Sequence, residues 1–154
     1  MHIQSFALAF LATITPLAYA VGSAIVFNNC ECNVYLWSVG SAVGPSQTLT
    51  PGQSYSEYFH LDPVSGGIAL KVTLAQNGLY TGAPETIFAY RLDGTGVWYD
   101  LSDVFGDGFA GEAVTILPSI KGCSAIEWAD GIPPSGSQVN VCGASTNLTL
   151  VLCK

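Results

Sequence analysis

The stretch Val97–Glu112, VWYDLSDVFGDGFAGE, sets the reading of the whole chain. Val97, Trp98, Tyr99 and Leu101 crowd β-branched, aromatic and aliphatic side chains into five positions, which specifies a strand. A glycine-punctuated loop is expected next, holding Asp100, Asp103, Asp107 and Glu112. Four of the eleven acidic residues thus fall within thirteen positions. Carboxylates gathered beside a rigid aromatic strand make an acidic patch able to attract a cation or to accept hydrogen bonds from a polyol. At the strand's end, Asp100 is placed to accept backbone N–H bonds from the turn, while Asp107 projects between Gly106 and Gly108.

The segments before it alternate in the same way. Thr86–Leu92 sets Phe88, Tyr90 and Leu92 against Ile87, Ala89 and Arg91, and Asp93-Gly94 joins it to the opening stretch as a hairpin. Ile68–Leu74 puts Ile68, Leu70, Val72 and Leu74 inward, with Lys71 and Thr73 outward. Asn77-Gly78 is a second hairpin signal. Strands are expected also at Ala24–Asn28, Asn33–Val39 and Tyr55–Phe59, separated by the turn-rich Gly40–Gly52. Ala113–Leu117 and Asn147–Cys153 follow, on either side of an irregular Gly122–Ser137. With no helical period or internal repeat, the pattern predicts an all-β, single-domain sandwich.

Residues 1–20 read as a secretion signal, with an apolar Phe6–Ile14, a break at Pro16 and the small-x-small pattern Ala18-Tyr19-Ala20. The domain then occupies residues 21–154, and the protein is expected outside the cell or in the cell wall. The apolar run is too short and too interrupted for a membrane span, and Leu148–Leu152 is too short for a lipid-anchor tail. A net charge of −7 with only Lys71, Arg91, Lys121 and Lys154 as cations leaves no basic footprint for nucleic acid or an anionic membrane. Cys30, Cys32, Cys123, Cys142 and Cys153 point to disulfides in an oxidising compartment, with one thiol left over. Cys30-x-Cys32 has no matching pair, so no metal site and no cofactor are expected. Asn147-Leu148-Thr149 is an N-glycosylation acceptor.

Three segments together resemble thaumatin-like proteins: Val26-Phe27-Asn28-Asn29-Cys30 with Val34-Tyr35-Leu36-Trp37, then Leu49-Thr50-Pro51-Gly52-Gln53, then Trp98-Tyr99-Asp100-Leu101-Ser102 running to Asp107-Gly108-Phe109. With the ending Leu148-Thr149-Leu150-Val151-Leu152-Cys153, they are closer still to the fungal Blastomyces yeast-phase-specific family. That resemblance implies a thaumatin-like β-sandwich and pairing of Cys30 with Cys153. Cys123 would then join Cys142, and Cys32 would be the odd thiol or exchange with Cys30. Closing loops this long constrains the unfolded chain by roughly 5 and 3 kcal/mol respectively. In plant relatives the fold carries an acidic cleft associated with β-1,3-glucan. Asp100 and Asp107 match the cleft's two aspartates, whereas Ala89 stands where the cleft glutamate belongs, and Glu85 lies four residues earlier.

Glycoside hydrolysis needs an acid opposite a second carboxylate, and no residue is assigned that role. Ligand binding asks for less. Asp100, Asp103, Asp107 and Glu112 can accept from sugar hydroxyls, and Trp128, in a loop beside Pro133-Pro134, is expected to offer an exposed face. Trp37, Trp98 and Tyr99 read instead as core. The sequence therefore predicts a secreted binder of cell-wall or host-surface polysaccharide, β-glucan-like, with an effector or antifungal role. A weak endo-β-1,3-glucanase is the alternative.

Overall fold

The computed structural model describes residues 20–154. The secretion segment read at residues 1–20 lies outside the described residues, Ala20 excepted. The chain runs β1 (Ser23–Asn28), β2 (Val34–Val39), β3 (Gln47–Leu49), β4 (Ser54–Tyr58) and β5 (Ile68–Thr73). A helical turn α1 (Gly78–Thr81) precedes β6 (Glu85–Asp93), β7 (Gly96–Val104) and β8 (Val114–Pro118). Then come β9 (Ile126–Trp128), β10 (Asn140–Gly143) and β11 (Leu148–Leu152). One sheet has the order β4-β1-β11-β8-β9, the other β10-β7-β6-β5-β2-β3. β1 and β11 pair in parallel, and the other strand pairs are antiparallel.

The core lies between the sheets. Val26, Ile116, Leu148 and Leu150 from the first meet Leu36, Leu70, Phe88 and Leu101 from the second, all buried. Each such side chain contributes about 1.5–3 kcal/mol by leaving water. β6 and β7 turn at Gly94, whose φ is 59°, with Asp93 opposite Gly96. β7 is longer than expected and extends through Val104, so Asp100 and Asp103 are strand residues and not loop residues. β3 and β9 are short edge strands in stretches that read as turn-rich or irregular, and β10 is a short edge strand in a stretch given no element by the sequence pattern.

Two local readings are corrected. Asn77-Gly78 makes no hairpin; it opens α1, which folds onto the outer face of the six-stranded sheet. A Cβ at position 78 would lie 2.4 Å from Thr73 Oγ1, so only glycine allows this approach. Thr73 is consequently buried, donating to the Ala75 carbonyl at 2.6 Å, and Leu74 is exposed. Tyr80 of α1 also meets Trp37 edge-on at 6.3 Å and closes it from solvent. Cys30 is bonded to Cys153 and Cys123 to Cys142, the pairs the resemblance implies; Cys32 is a free, exposed thiol.

Next to this covered patch, Glu85 is 1% exposed and takes its counter-charge from Lys71 Nζ at 3.0 Å. A buried carboxylate stripped of its partner is far more costly than the pair is helpful. Lys71→Met should therefore destabilise the protein by about 3 kcal/mol. Lys71→Met/Glu85→Leu should recover most of that loss. Thermal melts of the single and double variants test both.

Candidate functional site

The other half of that outer face is open. One row across the sheet reads Val39, Ala69, Ala89, Asp100, each the register partner of the next. The adjacent row reads Arg91, Trp98, Val141. Two alanines side by side leave a low floor between taller walls. The result is a groove of about 510 Å³, lined also by Gly67, Tyr99 and Val139. Trp98 is 46% exposed and offers an apolar plane, with Arg91 as its direct cross-strand neighbour. Asp100 supplies an acceptor on the same floor. Flat apolar surface beside a planar donor and a carboxylate is the combination that stacks a sugar ring and reads its hydroxyls.

The rim is held by Asp62. Its Oδ2 accepts from Ser41 N at 2.8 Å and Ser41 Oγ at 2.7 Å, and its Oδ1 from Val64 N and Ser65 N, both at 2.9 Å. These donors, led by the Ser41 backbone, hold its carboxyl well below the usual range. Their hold persists above pH about 4 and is lost only in stronger acid. Behind the groove, Glu57 accepts from Tyr55 on its own strand and from Tyr90 across the gap between sheets, and His60 Nδ1 lies 3.1 Å from the Tyr90 hydroxyl. Burial first, and then Glu57, push Tyr55 up to about 12 and Tyr90 further still. Both phenols stay protonated as donors.

The four acidic residues of the opening stretch are not one cleft. Asp100 faces the groove. Asp103, three residues on, faces the space between the sheets, and Asp107 is exposed in the loop after Phe105, whose φ is 61°. Glu112 is exposed in a separate depression with Asn29, Glu31 and Cys32. Among the described residues no three His, Cys, Asp or Glu side chains gather closely enough to hold a metal ion.

The tryptophans exchange roles. Trp128 is 1% exposed in β9, its Nε1 without a partner, so it offers nothing to a ligand and leaves the candidate site. Trp98 takes its place, because Val97, Tyr99 and Leu101 point inward and alternation sends Trp98 out. That periodicity was available in the sequence. Asn147 is exposed, with its Oδ1 accepting from Ser23 N at 3.0 Å.

The family model for Blastomyces yeast-phase-specific protein matches residues 11–154. The chain belongs to that family. It is 33% identical over 160 residues to an antigenic thaumatin-like protein of Arthroderma benhamiae, covering 96% of this chain and 80% of that one. It is 28% identical over 165 residues to the secreted thaumatin-like protein calA of Emericella nidulans, covering 94% and 92%. The crystal structure of the protein elicitor MoHrip2 from Magnaporthe oryzae superposes with a TM-score of 0.71 at 30% identity, covering 86% of this chain and 99% of that one. The thaumatin-like xylanase inhibitor TLXI gives 0.55 at 15% identity, over 85% and 99%, and so speaks for the fold alone. The sandwich is thaumatin-like. In this Blastomyces yeast-phase-specific family member, Asp100 pairs directly with Ala89, the position matched to the thaumatin cleft's glutamate. Glu85 shares that face but lies about 13 Å along the strand and is committed to Lys71.

Asp103 is pushed up to about 6, by burial above all, with the Asp107 charge adding to it. The Thr86 hydroxyl pulls the other way without reaching hydrogen-bond geometry. The folded state therefore holds this proton between about pH 4 and 6, where the unfolded chain releases it. Ionised Asp103 costs stability above pH 6, and the cost fades as pH falls towards 4. At pH 7.5, Asp103→Asn should stabilise the protein by about 1–2 kcal/mol, allowing for solvent screening. At pH 4 the two melting temperatures should coincide.

Proposed function

We propose that this protein is a secreted, thaumatin-like polysaccharide-binding protein that engages a β-glucan-like cell-wall or host-surface glycan without cleaving it. The observation that carries this reading is the row Val39, Ala69, Ala89, Asp100 beside Arg91 and Trp98. An alanine floor admits a sugar chain. The exposed indole stacks on a ring face, and Asp100 and Arg91 accept from and donate to its hydroxyls. Hydrolysis by the usual route needs two carboxylates flanking the scissile bond. With Ala89 opposite Asp100, the groove brings one, which favours binding over glucanase activity. Secretion is supported by the signal-like residues 1–20 and by a relative named as a secreted thaumatin-like protein. The elicitor among similar structures supports an effector role at a host surface. Occupancy of Asn147 by N-glycan fits the same compartment and leaves the groove, on the other sheet, unobstructed.

A glycan array followed by titration of soluble β-1,3-glucan tests the reading. Trp98→Ala should weaken binding at least about tenfold, and Arg91→Ala should weaken it less. Both should leave stability within about 0.5 kcal/mol, since neither side chain belongs to the core. Binding untouched by Trp98→Ala would refute the groove. Release of reducing ends that Asp100→Asn abolishes would favour the glucanase.

A further inference from the structure

β7 runs through Val104, but its neighbour β10 begins only at Asn140, opposite Tyr99. Beyond Tyr99 the strand has β6 on one side and no strand on the other. The direction of its main chain follows from the turn, where the Thr95 carbonyl accepts from Ala144 N at 2.8 Å on the β10 side. Main-chain groups alternate in direction along a strand, so Val97, Tyr99, Leu101 and Asp103 turn theirs the same way. Among the described residues the N–H and C=O groups of Leu101 and Asp103 have no hydrogen-bond partner there.

The loop that faces this edge does not close it. Pro133 and Pro134 have no N–H to give. Val139 N donates to Ser137 Oγ at 3.3 Å and Gln138 Nε2 to the Gly136 carbonyl at 3.4 Å, so these donors turn back on the loop itself. A hollow of about 360 Å³ is left between the loop and Leu101, Ser102 and Asp103. Asp100 and Val139 line it and line the groove as well, so the two adjoin.

Strand edges are normally paired, covered or guarded, and this short one stands open inside a hollow. We infer that the open edge of β7 is a second subsite of the groove, and that the site takes a run of several units of a linear glycan. The inference rests on the polysaccharide reading of the groove. Trp98, Asp100 and Ser102 alternate onto one face, and the first and last of them stand about 13 Å apart along the strand. One sugar ring does not span that distance. A ring stacked on Trp98 sends the chain past Asp100, and a later unit reaches Ser102 and the open edge. Each sugar hydroxyl both donates and accepts, as an N–H and C=O pair of the main chain does together. Those groups are already fixed by pairing of β7 with β6, which keeps the ordering cost of binding low.

Hydrogen exchange followed by NMR tests the edge in the free protein. The amides of Leu101 and Asp103 should exchange at least about tenfold faster than those of Tyr99 and Asp100, which β10 and β6 hold. Protection of Leu101 and Asp103 in the free protein would overturn the inference, whatever the glycan does. β-1,3-linked glucose oligomers of two and six units are then titrated. The six-unit oligomer should bind at least about tenfold more tightly and should slow exchange at Leu101 and Asp103, as the two-unit oligomer should not. Ser102→Ile, a β-branched replacement that strands accept, fills the second hollow and should bring the two affinities together. Equal affinities in the unaltered protein would overturn the second subsite and leave the groove standing. So would a six-unit complex in which both amides still exchange freely, or a Ser102→Ile variant that keeps the full difference. Failure of both oligomers to bind would overturn the polysaccharide reading and this inference with it.

Discussion

The parallel pairing of the first described strand with the last is the constraint on which the rest of this sandwich depends. β1 lies between β4 and β11, and β11 lies between β1 and β8, so the middle of the five-stranded sheet is made from opposite ends of the domain. Cys30 and Cys153 lock the end of that pairing, with Cα atoms 4.9 Å apart. Asn28, fully buried just before the disulfide, donates to the carbonyls of Cys32 and Leu49 at 2.8 Å and accepts from Cys30 N at 3.0 Å. One amide thus joins the β1 end to β3 in the other sheet. Contacts so distant in sequence repay their loop-closure entropy late, so the core cannot consolidate until the C-terminal strand has been made. A covalent staple at that point suits a chain that folds in an oxidising compartment.

With the inner faces taken up by the core, chemistry is left to the outer face of the six-stranded sheet. That face is divided. At one end α1 lies over it, covers Trp37 and leaves the Lys71–Glu85 pair sequestered. At the other, nothing larger than a methyl group rises from the middle of the floor. Asp62 holds the adjoining loop from a distance, and Gly40 admits it closely; a Cβ there would stand 2.5 Å from the Asp62 carboxylate. The groove is consequently shaped by the chain itself, and any ligand it took would meet a low ordering cost.

Much of this was legible from alternation alone. Ile68, Leu70 and Val72, then Phe88 and Tyr90, declared their faces, and Asp93-Gly94 declared its turn. The resemblance carried the cysteine pairing. What local pattern could not supply is what covers each face. Thr73 and Leu74 exchange places because α1 packs on one and not the other. Trp128 reads as a loop residue because three-residue edge strands have too few positions to show a period. Asp103 was placed in a loop because the glycines after it hid the true end of β7, and its cross-strand neighbour Thr86 lies seventeen positions earlier. The acidic stretch stands out in the sequence, but its members do not gather in one cleft: Asp100 lines the groove and Glu112 a separate depression.

The alanine floor carries a consequence for how such proteins diversify. Ala69 and Ala89 sit on a surface that bears none of the packing load, at the centre of strands held by their opposite faces. The depth and charge of the groove can therefore change by a single replacement without disturbing the scaffold. Groove shape and foldability are decoupled at these two positions, so a replacement there can remodel the surface at little thermodynamic risk.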